Sequence, residues 1–261
     1  MKKIKEYLAR YTKYRYLLFE LVRRDVKIKY RRSKLGLLWS LLNPLLTMLV
    51  VSTVFSFIFK QEIENFPIYL LTGQLMFQFF AEATSMAMGA VILNAALMKK
   101  VYIPKYIFPL SKVMSCSVSL IFSLAALFIV MLFTGTKVGL SILLLPFPII
   151  CIFLFSVGIG LILSVYAVYF RDIIHLYGVF TTMLMYLTPI FYPVSALPEW
   201  VKGIISINPL YHFITSMRTI VLDRAVPSAE NTVLCLIFAI GALVLGAAVF
   251  RKKQKQFVLY I

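Results

Sequence analysis

Charge is the first thing this sequence lacks. Only 14% of its 261 residues are charged, while 61% are hydrophobic, an imbalance that a water-soluble domain with a polar surface does not tolerate. Acidic residues are scarcer still, 10 against 27 basic ones, for a net charge of +17. Cysteine is confined to Cys116, Cys151 and Cys235, all inside apolar stretches, where a thiol acts as a small hydrophobe rather than as half of a disulfide or a metal ligand. The two histidines, His175 and His212, fall on opposite sides of the membrane in the topology below, so the clustered groups of a membrane glycosyltransferase or lipid phosphatase are missing. No Gly-x-x-x-x-Gly-Lys-Ser/Thr loop occurs, which removes the backbone cradle and lysine that hold nucleotide phosphates. No catalytic residue, metal ligand or bound cofactor is therefore assigned to this chain.

What is abundant is apolar length. Runs near 35–59, 66–93, 107–133, 140–170, 174–193 and 232–250 each approach or exceed the about 20 residues that cross a bilayer as a helix. The sequence predicts an all-α, polytopic membrane protein with six transmembrane helices. With both ends cytoplasmic, the inner side holds thirteen Lys or Arg in residues 1–34, four in 94–112, Arg171 and four after Phe250. The outer side keeps Lys60, Lys137, Lys202, Arg218 and Arg224, so the positive-inside rule selects this orientation. The same distribution explains the basic excess without nucleic acid. Residues 1–34 are basic and lack the compact apolar core and cleavage site of a signal peptide; the first span is expected to direct insertion. The chain divides into a cytoplasmic N-terminus (1–34), a single membrane domain (35–250) and a basic cytoplasmic tail (251–261).

Within residues 15–33, Leu18, Val22, Val26 and Tyr30 recur every four residues while Arg23, Arg24, Lys27 and Arg31 point elsewhere. That spacing predicts an amphipathic helix lying among anionic headgroups of the membrane lipids. It serves as an anchor, or its cations also meet an anionic substrate. Trp39 marks the inner interface of the first span, Pro44 removes a backbone donor and Asn43 needs a partner. In the second span Gln74, Gln78 and Glu82 repeat every four residues, a polar stripe that must face a helix, a partner or a wet cavity, for packing or for transport. Residues 94–112 are basic and proline-punctuated; a short helix from Asn94 to Val101 would set Leu97, Met98 and Val101 beside Lys99 and Lys100. That is a knob for a partner's groove or an ordinary interfacial loop. Pro146 and Pro148 are expected to bend or interrupt the fourth run. Pro189, Pro193, Pro198 and Pro209 break the region from 188 to 214 into short re-entrant helices before the last span, a natural outer gate.

In this order, KYRRSKLGLLWSLLNPLL at 29–46, NAALMKKVYIPKYIFPL from Asn94, FRDI at 170–173, TPIFYP at 188–193 and Asn208–Pro209 resemble the permease subunits of type-2 ABC exporters for O-antigen, teichoic acid and capsular polysaccharides. Nearly the whole chain is covered. The resemblance implies a bacterial inner-membrane permease, paired with a second copy of itself and with two copies of a separate nucleotide-binding subunit that carries ATP and Mg. Its cargo would be a lipid-linked glycan. It implies further that Leu97, Met98, Lys99, Lys100 and Val101, within 94–106, form the ATPase-coupling segment. Arg23, Arg24 and Lys27 would stand where substrate is taken up, and Tyr192, Pro193 and Trp200 would belong to an outer gate within 188–229. Two alternatives stay open: the same machine exporting a drug or lipid, and an ion-coupled secondary carrier using Glu82 as a proton site.

Overall fold

The computed structural model describes residues 2–31, 33–59, 63, 65–100 and 103–257, and side chains for these except 2–13, 56–59 and 255. Helices make up the fold, with no strand among the described residues, as expected where every backbone group in hydrocarbon must be satisfied within its own segment. The protein is an all-α polytopic membrane protein. Five helical stretches are long and apolar enough to cross a membrane: Gly36–Phe55, Phe66–Leu93, Ile107–Phe133, Leu140–Tyr169 and Ala229–Lys253.

The first helix, α1 (Lys2–Lys29), extends well upstream of the predicted amphipathic stretch. After it the chain turns through Gly36, whose φ of +51° is a left-handed conformation that suits a residue without Cβ. A short 3-10 turn then leads into α2 (Trp39–Phe59). Pro44 lies inside α2 and has no N–H for the carbonyl of Ser40, one turn back. The Ser123 hydroxyl, from α5 (Ile107–Phe133), donates to that carbonyl at 3.1 Å. A missing bond within one helix thus becomes a bond between two.

At the centre stands α3 (Phe66–Leu93), with 17 of its 28 residues buried. It packs against α2, α5, α6 (Pro146–Tyr169), α7 (Ile173–Leu187) and α9 (Pro209–Val221). The tightest approach joins α6 to α10 (Ala229–Lys253). A Cβ at Gly158 would lie 2.3 Å from the Ala242 carbonyl, and one at Gly246 only 2.2 Å from the Gly158 oxygen. Small residues here let two backbones meet, the usual basis of helix association in lipid.

Three expectations change or narrow. The predicted span 174–193 is helical only over the 15 residues Ile173–Leu187, about 22 Å of helix against a hydrocarbon core of about 30 Å. Thr188 turns to extended backbone, as the residue before a proline prefers. Pro146 and Pro148 interrupt the fourth run rather than bend it: a 3-10 turn over Leu140–Leu144 gives way to α6, and both prolines lie in its first turn, where an N–H has no helical partner to lose. The amphipathic helix leans on protein: Leu18 and Leu21 are buried with Ala90, Ile103, Ile107 and Phe108, whereas Val22, Val26 and Tyr30 are only partly covered.

Short helices, α4 (Ala95–Lys100) on the α3–α5 connection and α8 (Glu199–Ile205) before α9, fill the remaining joints. Asn208 starts α9, its side-chain oxygen accepting from the Leu210 N–H at 3.0 Å while its amide donates to the Thr188 hydroxyl at 2.9 Å.

Candidate functional site

Two polar regions interrupt the apolar bundle. The first, on the side where the basic residues predict the cytoplasm and so called inner, forms where α1 ends against α3 and α5. The Lys112 ammonium of α5 lies 2.9 Å from Asp25 Oδ2 of α1, the two side chains only 10% and 3% exposed. Asp25 Oδ2 takes no directed hydrogen bond, so this contact is coulombic. Arg24 Nη2 reaches Asp25 Oδ1 at 3.3 Å and donates to Asn94 Oδ1 at 3.2 Å. Asn94 is the joint before α4, and its carbonyl accepts from the N–H groups of Leu97 and Met98, both at 3.1 Å.

One turn along α1, Lys29 Nζ meets Glu82 Oε1 at 2.5 Å and donates to the Ser119 hydroxyl at 3.0 Å. Burial lowers the Lys29 pKa, but the hydrogen bond and charge of Glu82 outweigh it, so the ammonium is held above its ordinary range. Tyr30 shares hydroxyl bonds with Ser40 and Ser119. These groups line a cavity of about 80 Å³ with Trp39, Asn43, Gln78 and Ser123.

The second region is the opposite end, which the charge distribution predicts to be outer, where Pro189 has stopped α7 and the chain reaches α8 through turns and a short 3-10 segment, Val194–Ala196. Arg218 of α9 is 9% exposed and ion-paired with no carboxylate among the described residues. Its Nη1 donates to the Pro189 carbonyl at 2.8 Å, and its Nη2 to the carbonyls of Tyr69 and Ile190 at 3.1 and 3.2 Å. The guanidinium carbon lies 3.4 Å from the centre of the Tyr69 ring, a cation–π contact strengthened by burial. The Tyr69 hydroxyl donates to the Tyr192 carbonyl at 2.8 Å. An outer cavity of about 390 Å³ opens here, lined by Tyr69, Pro193, Tyr211, Arg218, Asp223 and Arg224 among others.

The sequence-predicted residues distribute unevenly over these regions. Arg23 is 81% exposed on its side chain, with Glu20 near it at 3.8 Å, and Lys27 is exposed, but Arg24 turns inward to Asp25 and Asn94. The three do not form one cationic face. Gln78 and Glu82 line the inner cavity, while Gln74 has a buried side-chain oxygen with no hydrogen-bond partner.

Leu97 and Met98 pack on the cluster of Leu18, Leu21 and Phe108, so the apolar side of α4 faces the protein. Lys99 and Lys100 are exposed, and Val101 lies outside the described residues. Tyr192 and Pro193 sit in the outer turn, the Tyr192 hydroxyl donating to the Tyr186 carbonyl at 2.6 Å; Trp200 is 72% exposed on α8.

Sequence reasoning passed over Asp25, Lys29, Lys112, Tyr69 and Arg218 as site residues. Arg218 had a readable mark, a lone cation between Met217 and Ile220 in a helical pattern. Among the described residues no three His, Cys, Asp or Glu side chains gather as metal ligands would.

Comparison with known proteins adds a separate line of support. The family model described as ABC-2 type transporter matches residues 16–222. The O-antigen export system permease protein RfbA of Klebsiella pneumoniae is 30% identical over 243 residues, covering 92% of this chain and 93% of that protein. Its namesake in Myxococcus xanthus is 28% identical, covering 94% and 95%. The polysialic acid transport protein KpsM of Escherichia coli is 22% identical, covering 89% and 91%.

Proposed function

Because the chain belongs to the ABC-2 type transporter family, we propose that it is the membrane-spanning permease subunit of an ATP-driven exporter of cell-envelope polysaccharide. The observation that carries this reading is the near end-to-end likeness to permeases for O-antigen and transport proteins for polysialic acid. Without a phosphate-binding loop of its own, the chain works with a separate nucleotide-binding subunit that holds ATP and Mg. Two such subunits pair with two copies of this chain in the cytoplasmic membrane of a bacterium. Both termini face the cytoplasm, a reading supported by the basic segments at each end. The open apolar sides of α2 and α7, with Leu49, Val50, Val54, Val179 and Met183 exposed, suit a second copy as well as lipid.

The cargo is a lipid-linked glycan of the O-antigen or capsular kind, with teichoic acid as the nearest variant on the same machine. It is taken up beside α1, where the exposed Arg23 and Lys27 can meet an anionic linkage, and it leaves past the broken segment within 188–229. The ATPase pushes on the 94–106 segment. Its contact surface is the exposed Lys99 and Lys100 edge of α4, since Leu97 and Met98 are occupied internally. Glu82 is paired with Lys29, which removes the solitary intramembrane carboxylate that pointed to a proton-coupled carrier.

The test is co-purification with the candidate ATPase and reconstitution into proteoliposomes holding an undecaprenyl-diphosphate-linked glycan. ATP-dependent glycan movement is expected; movement that persists without the ATPase, or of drugs and simple lipids alone, would sink the proposal. Lys99→Glu combined with Lys100→Glu is expected to uncouple hydrolysis from export with the fold intact. Wild-type coupling in that variant would move the contact elsewhere.

A further inference from the structure

We infer that Arg218 and Tyr69 are positioning residues that latch the outer end of the translocation path shut, and that α3 carries the opening force to them from the coupling segment. The inference rests on the exporter reading above. The physical need for a latch begins with the prolines. Where α7 stops at Leu187, the carbonyls of Pro189, Ile190 and Tyr192 lose the helical donors that would have met them, and at membrane depth each must be satisfied by protein or by water in a cavity. One guanidinium and one phenol do it: Arg218 takes Pro189 and Ile190, and Tyr69 takes Tyr192. The two residues also hold each other, through the Arg218 bond to the Tyr69 carbonyl and the stack on its ring.

Two features suit this contact to opening and closing. The arginine has no carboxylate partner among the described residues; it is stabilised by backbone dipoles, which water from the adjoining outer cavity replaces without stranding a buried counter-charge. The fit is also tight, because a Cβ at Gly73 would fall 2.8 Å from Arg218 Nη2.

The mechanical link is α3 itself. Tyr69 lies in its first turn, and Asn94, which holds the start of α4 and receives Arg24, follows its last residue. A helix of 28 residues is a rod of about 42 Å, so a push delivered at α4 reaches the latch without an intermediate hinge.

The experiment uses the full complex with its ATPase in intact cells and a membrane-impermeant maleimide added from outside. The reporter is Ile190→Cys, since Ile190 is 1% exposed behind the latch; Cys116, Cys151 and Cys235, all buried, report on the fold. Closed latches leave Cys introduced at 190 unreactive without nucleotide turnover. Adding Arg218→Gln is expected to raise its labelling by about tenfold or more, as loss of several charge-assisted hydrogen bonds shifts a local opening equilibrium. Arg218→Lys, which keeps the charge but not the fork, opens it as well. Tyr69→Phe, which keeps the ring beneath the guanidinium and loses the hydroxyl's bond to Tyr192 and its longer one to Pro189, gives a smaller rise. No rise in any of these variants overturns the latch. Labelling of the native thiols alongside position 190 also overturns it, assigning Arg218 to overall stability. Because the readout is thiol access and not cargo, a failure of glycan transport with the expected labelling would fault the exporter reading alone.

Discussion

At the inner junction a buried charge meets an opposite charge, Asp25 with Lys112; at the outer end a buried charge meets only carbonyl oxygens and a ring. The difference is one of what remains after separation. Pulling Asp25 from Lys112 leaves a lysine buried in α5 without its carboxylate and Asp25 with the weaker, half-exposed Arg24 contact, a cost of several kcal/mol, so that joint behaves as a fixed clamp. Releasing the 188–193 turn from Arg218 leaves no buried counter-charge behind, and both the freed carbonyls and the guanidinium turn to water from the cavity that Arg218 lines. The protein therefore joins α1 to the bundle with ion pairs and closes its outer turn with hydrogen bonds.

The largest expected effect tests the clamp. Lys112→Met should cost up to about 3–5 kcal/mol by leaving buried Asp25 to the longer contact with the half-exposed Arg24, seen as a steep drop in the thermal midpoint of the detergent-solubilised protein. Joining it to Asp25→Leu should recover most of that loss; a double variant as unstable as the single one would show that the pair does not neutralise itself. At the outer end Gly73→Ala should cost about 1–3 kcal/mol through overpacking, because Arg218 Nη2 and the Ile190 side chain must both give way. Gly178→Ala, with open space around it, should instead leave stability unchanged or slightly raised by helix propensity. Equal effects at the two glycines would deny the close fit at the latch.

A smaller change is expected from Glu82→Gln, since the Lys29 and Glu82 side chains are each about a third exposed and such pairs contribute at most about 1 kcal/mol. Transport by that variant should remain ATP-driven and indifferent to an imposed proton gradient; gradient-driven movement abolished by the substitution would restore the carrier reading. The smallest effect concerns pH. The folded state raises the Lys29 pKa above the ordinary 10.5, so the pair's contribution is complete below that value and fades only as pH climbs through the raised one. Thermal midpoints of wild type and Glu82→Gln should then keep a constant difference between pH 7 and 9, and a gap that closes within that range would contradict the assignment.

Apolar length and the prolines made most of the fold readable in advance. Hydrophobic runs located the spans because hydrocarbon demands continuous apolar helix whatever lies beside it, and Pro189 marked the end of α7 because proline acts on its own backbone neighbours. The candidate site was legible only where the requirement was local. Glu82 announced that it needed a partner, yet Lys29 is 53 residues away, and nothing in the local pattern of either helix names the other. Lys112 read as a loop cation, Arg218 as one more outer charge, and Leu97 and Met98 as free to face a partner. Their burial depends on which helices pack together. The sequence by itself determined that this chain is a helical membrane protein and where its helices must break, since the solvent and the backbone impose those terms residue by residue. Only the tertiary structure decided which charges are paired, which is met by carbonyls and which stay free, because coulombic and hydrogen-bonding partners are chosen by distances of a few ångströms that packing alone sets.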